Sequence, residues 1–222
     1  MILEKIIKTC LQYKIENYSI NSDGSIDVDG NVDLSSRNLT ILPVRFRRVI
    51  GNFNIHNNLL TTLYGAPIAV GGNFNCFNNH LISLLGAPKW VGGDFYCYQN
   101  QLRSLGGSPE EVVGSYYISG NENLENLKGC SVKIGGNFSF DDILLSTYFG
   151  DVEIEFDGNF FLNETNYNAP NTRKLPDVLL RNMRHIKLIL KYQRYFYMWN
   201  DDLSFNRENF DILIEEIEDG LR

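Results

Sequence analysis

A block of about 21 residues recurs through the middle of this chain, and no other feature constrains the fold as strongly. Three copies are nearly regular: VIGNFNIHNNLLTTLYGAPIA at residues 49–69, VGGNFNCFNNHLISLLGAPKW at 70–90 and VGGDFYCYQNQLRSLGGSPEE at 91–111. A weaker copy occupies 28–48, and degenerate copies are expected at 112–133, at 134–153 and from 154 onward. A fixed period of this length produces stacked rungs, each buried against its neighbours, rather than a closed core.

Within a copy, apolar side chains stand at Phe74, Cys76, Leu81 and Leu84, with Asn79 between them. Alternation at 74 and 76 is the period of a strand with one buried face. Asparagine recurs at 58, 79, 100 and 121, where its amide can bond backbone groups of the adjacent rung and hold the turn. Arg37 and Asp142 take its place in the first and sixth copies, which marks both as atypical. The doublets Gly71-Gly72, Gly92-Gly93 and Gly135-Gly136 permit a tight bend into each strand. Gly-Ala-Pro at 65–67 and 86–88, and Gly-Ser-Pro at 107–109, predict a far side that is irregular or extended and not helical.

Over residues 28–168 this pattern resembles the leucine-rich repeat, L-x-L-x-x-N-x-L-x-x-L, with Phe in place of the first Leu. The unit G-A-P-x-x-V-G-G-N-F-x-C-x-x-N-x-L-x-S-L is similar to repeats of tailed-phage and bacterial proteins, and residues 18–36 resemble the leader that precedes them in phage proteins. The resemblance implies an α/β solenoid with a parallel β-sheet of about 6–7 rungs that binds a partner on the sheet face.

An open stack needs caps at both ends. Ile2, Leu3, Ile6, Ile7, Cys10 and Leu11 form one stripe of a helix of about 14 residues. Residues 18–20 and 25–28 flank Asn21-Ser22-Asp23-Gly24, a hairpin signal. At the other end a helix is expected over 176–200 and a second over 206–218. The first is basic (Arg173, Lys174, Arg181, Arg184, Lys187, Lys191 and Arg194) and the second acidic, which predicts that they pack together. The organisation is therefore a cap at 1–27, a solenoid at 28–168 and a helical cap at 169–222, in one continuous body.

Side chains between the inward positions project outward in two columns. One reads Asp33, Asn54, Asn75, Tyr96, Tyr117, Ser139, Phe161; the other reads Ser35, His56, Phe77, Tyr98, Ser119, Asp141, Asn163. At roughly 4.8 Å per rung the columns suit an extended segment or helix of a partner. Aromatic anchors within a polar rim, at Asn54, His56, Asn75, Phe77, Tyr96, Tyr98, Tyr117 and Ser119, have the composition of a binding patch. The same rings could instead serve only to stabilise the sheet by stacking.

The formal net charge of −7 argues against a general nucleic-acid binder. No apolar run approaches the roughly 18 residues of a membrane span, and Glu4, Lys5 and Lys8 interrupt any secretory core at the start of the chain. The four cysteines suit a reducing cytosol. Cys76 and Cys97 share one inward position and read as small core residues, with a disulfide or metal pair as the lesser alternative. His56, His80 and His185 lie in different elements, and no nucleophile, phosphate-loop or dinucleotide motif accompanies them. Residues 27–33 are acidic but lack the spacing of a calcium loop.

These readings predict a non-catalytic protein-binding module of the cytoplasm, with no cofactor and no metal. The resemblance implies a phage-encoded protein that binds a bacterial host or defence protein, in an inhibitory or anti-defence role. Two alternatives stay open: nucleic-acid contact through Arg181, Arg184, Lys187, Lys191 and Arg194, and a structural or assembly role.

Overall fold

The computed structural model describes residues 2–124, 127–131, 133–141, 154–163, 176–202 and 204–222. The positions of Asp142, Arg173 and Lys174, and the solenoid boundary expected at 168/169, lie outside them.

The chain opens with helix α1 (Ile2–Tyr13) and an antiparallel hairpin of β1 (Tyr18–Ile20) and β2 (Ile26–Val28), where the sequence pattern places them. The solenoid follows, and each rung carries two short strands on either side of the glycine bend. Before the bend, β2 is joined by β4 (Phe46–Val49), β6 (Ala69–Val70), β8 (Trp90–Val91), β10 (Glu111–Val112), β12 (Lys133–Ile134) and β14 (Glu155–Phe156). After it run β3 (Val32–Asp33), β5 (Phe53–Asn54), β7 (Phe74–Asn75), β9 (Phe95–Tyr96), β11 (Tyr116–Tyr117), β13 (Phe138–Asp141) and β15 (Phe160–Asn163). The first set, with β1 at its edge, makes an eight-stranded sheet, and the second a seven-stranded all-parallel sheet. The repeat thus builds a parallel β-solenoid with a second strand per rung in addition to the expected one. The stretches from the asparagine turn to Gly-Ala-Pro contain no helix, as the prolines require.

Register is 21 residues from Val32 through Phe53, Phe74 and Phe95 to Tyr116, then 22 to Phe138 and Phe160. The last copy therefore aligns Phe156 with Ile134, and not Ile154 as expected from the sequence. Ile154 is apolar and buried as well, so hydrophobicity does not choose between them. The backbone ladder does.

The core is made of columns. Phe53, Phe74 and Phe95 stack at centroid distances of 5.7 and 5.3 Å. Ile55, Cys76, Cys97 and Ile118 form the next column, and Leu60, Leu81 and Leu102 another, all without solvent exposure. Burying each large side chain contributes about 1.5–3 kcal/mol. All four cysteines are reduced and buried, and burial pushes the thiols of Cys76, Cys97 and Cys130 upward. A thiol reagent is expected to label none of them in native buffer and all four in denaturant. Rapid labelling of the folded protein would show that the rungs open locally.

Asn58, Asn79, Asn100 and Asn121 form the predicted ladder. The Asn79 amide nitrogen donates to the carbonyls of Ile55 and Cys76 at 3.0 and 3.1 Å, and its oxygen accepts from Leu60 N–H of the preceding rung at 3.0 Å. A second ladder, not anticipated, runs along the glycine bends. There Asn31, Asn52, Asn73, Asp94, Ser115 and Asn137 each accept the backbone N–H of the equivalent residue one rung on, at 2.7–3.0 Å.

Both caps depart from the expected helices. Among the described side chains of α1, Ile6 and Cys10 are buried, while Leu3, Ile7 and Leu11 face solvent at 55, 39 and 75 % exposure. The apolar stripe is wider than the seam that touches the first rung. The long helix expected over 176–200 is broken. Helix α2 (Asp177–Arg181) ends at Asn182, whose side chain bonds Val178 O and whose N–H bonds Leu179 O. A 3-10 turn (Met183–His185) leads into α3 (Ile186–Tyr192), and the chain then turns through Tyr197, at φ 49°. Helix α4 (Arg207–Glu218) starts at the Asn206 cap and buries Phe210, Leu213 and Ile217 as predicted. Helix α3 packs on β14 and α4 packs on α3, so the expected pairing of basic and acidic helices holds. Tyr195 and Tyr197 are exposed, while Tyr192, Phe196 and Trp199 pack against the core.

Candidate functional site

The seven-stranded sheet brings the two predicted columns together on its outer face. Parallel pairing places Asp33, Asn54, Asn75, Tyr96, Tyr117, Ser139 and Phe161 in one line. Ser35, His56, Phe77, Tyr98 and Ser119 form the adjacent line. Of the members expected further on, the side chains of Asp141 and Asn163 lie outside the described set.

The rings of the patch form two rows. His56 stacks on Phe77 at 4.4 Å and 6°, and Phe77 on Tyr98 at 4.5 Å and 7°. In the other column Tyr96 stacks on Tyr117 at 4.9 Å and 3°. The rows meet where Tyr96 and Tyr98 lie edge to face at 6.3 Å. Parallel pairing in register explains this: equivalent Cβ atoms repeat at the strand spacing, close to the thickness of a ring. All eight residues of the predicted patch are half-buried. The rings present edges to solvent and spend most of their faces on each other.

Polar neighbours fix the rows. The Asn75 side chain donates to Asn54 Oδ1. Tyr96 OH donates to Asp94 Oδ2 at 2.7 Å, while Asp94 Oδ1 accepts from Ser115 N–H at 2.7 Å. Burial, and then the Asp94 carboxylate, push the Tyr96 phenol well up; burial alone raises Tyr98. Asp94 belongs to this site and was not among the residues singled out from sequence. Its signal was VGGD in the copy that carries both tyrosines, where the preceding copy has VGGN. An asparagine would serve the bend ladder equally well, but the carboxylate also holds a phenol as a charge-assisted acceptor.

The five basic residues of the alternative surface do not share one helix. Arg181 ends α2, Arg184 lies in the 3-10 turn, Lys187 and Lys191 are on α3, and Arg194 follows it. Arg184 pairs with Glu218 at 2.9 Å, Lys187 Nζ donates to Asp157 O at 2.7 Å and lies 5.1 Å over the Phe156 ring, and Lys191 reaches Glu155 at 3.9 Å. These three side chains tie the cap to the last rung and to α4.

In the acidic stretch near the first rung, Asp27 pairs with Arg47 and Asp33 accepts from Ser35. Among the described residues no group of three or more His, Cys, Asp or Glu side chains is placed to hold a metal ion. No described helix is long and apolar enough to cross a membrane. His80 and His185 lie away from the patch: His80 contacts Gln101 at 3.2 Å, and His185 accepts from Arg184 at 2.9 Å. No protein family, curated protein or solved structure matches the chain.

Proposed function

We propose that this protein is a non-catalytic binding module that holds a protein partner on the outer face of its seven-stranded sheet. One observation carries the reading: His56, Phe77, Tyr96, Tyr98 and Tyr117 stand in two stacked rows, in fixed orientation, within a rim of Asn54, Asn75, Asp94 and Ser119. Rings already held by their neighbours lose little rotamer freedom on binding, so a partner gains contact area at low entropic cost. Large amphipathic rings at the centre of a polar rim are the usual anchors of protein interfaces. The resemblance to phage and bacterial repeat proteins extends the proposal: the partner is a bacterial host or defence protein, met in the cytoplasm and inhibited by capture.

The test compares capture from bacterial lysate by the wild type and by a Tyr96→Ala/Tyr98→Ala double variant. A stacked ring pair is worth about 0.5–1.5 kcal/mol beyond its buried area, so the variant is expected to stay folded. The specific partner band should fall at least roughly tenfold, which corresponds to about 1.4 kcal/mol. Equal capture by a folded variant would leave the stack as sheet stabilisation and nothing more.

A further inference from the structure

A cavity opens at the N-terminal end of the solenoid, separate from the aromatic rows. It has a volume of about 480 Å³ and lies between α1, the hairpin turn at Asp23 and Gly24, and the helix-free stretches of the first two rungs. None of its lining residues belongs to the two outward columns. Ile6, Leu42 and Val44 line it from the core side, buried at 8–9 % exposure. Ile41 and Tyr64 line it too, yet stand exposed at 69 and 73 %. Large apolar groups left in water around an apolar cavity are the surroundings expected of a ligand site.

The polar side chains around this cavity are spent unevenly. Asp23 Oδ1 accepts from Ser25 N–H and Oγ at 3.0 and 2.6 Å, and Asp23 Oδ2 accepts from Arg45 at 2.9 Å. Both oxygens of the carboxylate are thus engaged. Thr9 donates its hydroxyl to Lys5 O at 2.8 Å. Thr62 Oγ1 accepts the Tyr64 N–H at 3.2 Å, which leaves its own proton to donate. The Lys5 ammonium makes no hydrogen bond or ion pair among the described residues. Donor capacity is therefore left over at Lys5 and Thr62, beside walls that are mostly apolar.

We infer that this cavity binds a small apolar carboxylate, of the arylalkanoic or short fatty acid class. The tail displaces water from Ile6, Leu42 and Val44 and is covered by Ile41 and Tyr64. The carboxylate stays at the mouth and accepts from Lys5 Nζ and the Thr62 hydroxyl, as charge-assisted bonds. The lysine stem lies along apolar surface while its ammonium remains in water, so the charge needs no burial. A neutral apolar molecule satisfies the walls but leaves the ammonium unpaired. Inorganic phosphate satisfies the ammonium but gains nothing from the walls, and its second charge meets no free cation because Asp23 already holds Arg45. The volume falls within the range of small-molecule sites, roughly 300–1,000 Å³. The inference goes beyond the partner-binding reading and stands apart from it.

The experiment titrates the full chain with 4-phenylbutanoate and follows the methyl resonances of Ile6, Ile41, Leu42 and Val44 by NMR. A saturable shift centred on these methyls is expected, with a dissociation constant of about 0.1–1 mM. 4-Phenylbutanamide keeps the shape without the charge and should bind at least roughly fivefold more weakly. Acetate, which keeps the charge without the tail, should give no saturable response. Lys5→Gln should lower the affinity for the acid to that for the amide. Thr9→Phe, which fills the cavity from the helix side, should abolish the response to both. Thermal melts of the two variants confirm that each is folded. Equal binding of acid and amide by the wild type, a preference that survives Lys5→Gln, or no saturation below about 10 mM overturns the site. A response that persists in folded Thr9→Phe places the binding elsewhere and overturns it as well.

Discussion

Asn79→Ala is expected to destabilise the protein by about 2–4 kcal/mol, a large effect for a single substitution. The side chain has no external role: it is buried at 4 % exposure and every bond it makes closes a turn. Truncation strands the Leu60 N–H, which the side-chain oxygen serves at 3.0 Å, and removes one of two donors from the carbonyls of Ile55 and Cys76, which keep Asn58 and Asn100. The unpaired Leu60 N–H costs about 1–3 kcal/mol and each bond lost at the two carbonyls about 0.5–1.5 kcal/mol, and a water entering the vacated space recovers part of that. Asn79→Asp sharpens the test. It keeps shape and acceptor but sets a carboxylate against carbonyl oxygens, so at neutral pH it should be at least as harmful as alanine. The introduced carboxyl is driven above its unfolded value, because its neighbours are acceptors. Its cost therefore shrinks as pH falls through the folded value, the reverse of a salt-bridged carboxylate. Urea unfolding of both variants between about pH 4 and 7 checks the sign. A loss under about 1 kcal/mol for alanine would mean that the turns hold without the ladder.

A second pair of substitutions should act in opposite directions at two glycines. A Cβ added at Gly72 would lie 2.3 Å from Asn52 Oδ1 and 3.0 Å from the Gly51 carbonyl carbon and Asn52 N. These atoms belong to the rung below, and Asn52 Oδ1 is itself a ladder acceptor. Gly72→Ala should therefore cost about 1–3 kcal/mol through overpacking, with added loss where the bend ladder is displaced. At Gly106 the nearest atom to an added Cβ is Ser104 Oγ at 3.6 Å, an ordinary contact, and φ is not positive. Gly106→Ala should be neutral or stabilise by up to about 1 kcal/mol, because it restricts only the unfolded chain. Thermal melts of the two variants decide. Equal destabilisation at both would mean that the glycines act through backbone conformation and not through the close approach of rungs.

The contrast shows what a repeat pattern can and cannot disclose. Glycine at 71, 72, 92 and 93 signals a bend, but the reason is contact: an added Cβ at Gly71 or Gly92 would meet the carbonyl oxygen of the rung below at 2.1 or 2.3 Å. The strand after the bend was legible because Phe74 and Cys76 alternate with outward residues. The strand before it was not, because β6 and β8 bury one residue each, Val70 and Val91, and one residue carries no period. Asn79 announced its ladder by sitting in the middle of an apolar run. Asn73 announced nothing, since its amide bonds a neighbour that is adjacent only in the stack. At the C-terminal end, the heptad-like spacing of Leu179, Met183, Ile186 and Leu190 reads as one helix, while the break depends on Asn182 finding Val178 O.

The candidate site divides in the same way. Its two columns follow from period and alternation alone, because side chains at equivalent positions of each copy share one face. Their stacking at 4.4–4.9 Å and the Tyr96–Asp94 bond required the register of one rung on the next. The basic residues of the cap show the converse: charge was plain in the sequence, but its use in tying α3 to the last rung and to α4 was not. A period determines which side chains share a line, because every copy repeats one local geometry. Tertiary structure decides what each line does, because hydrogen bonds, ring contacts and steric limits form between rungs and depend on distances the chain sets only when it stacks.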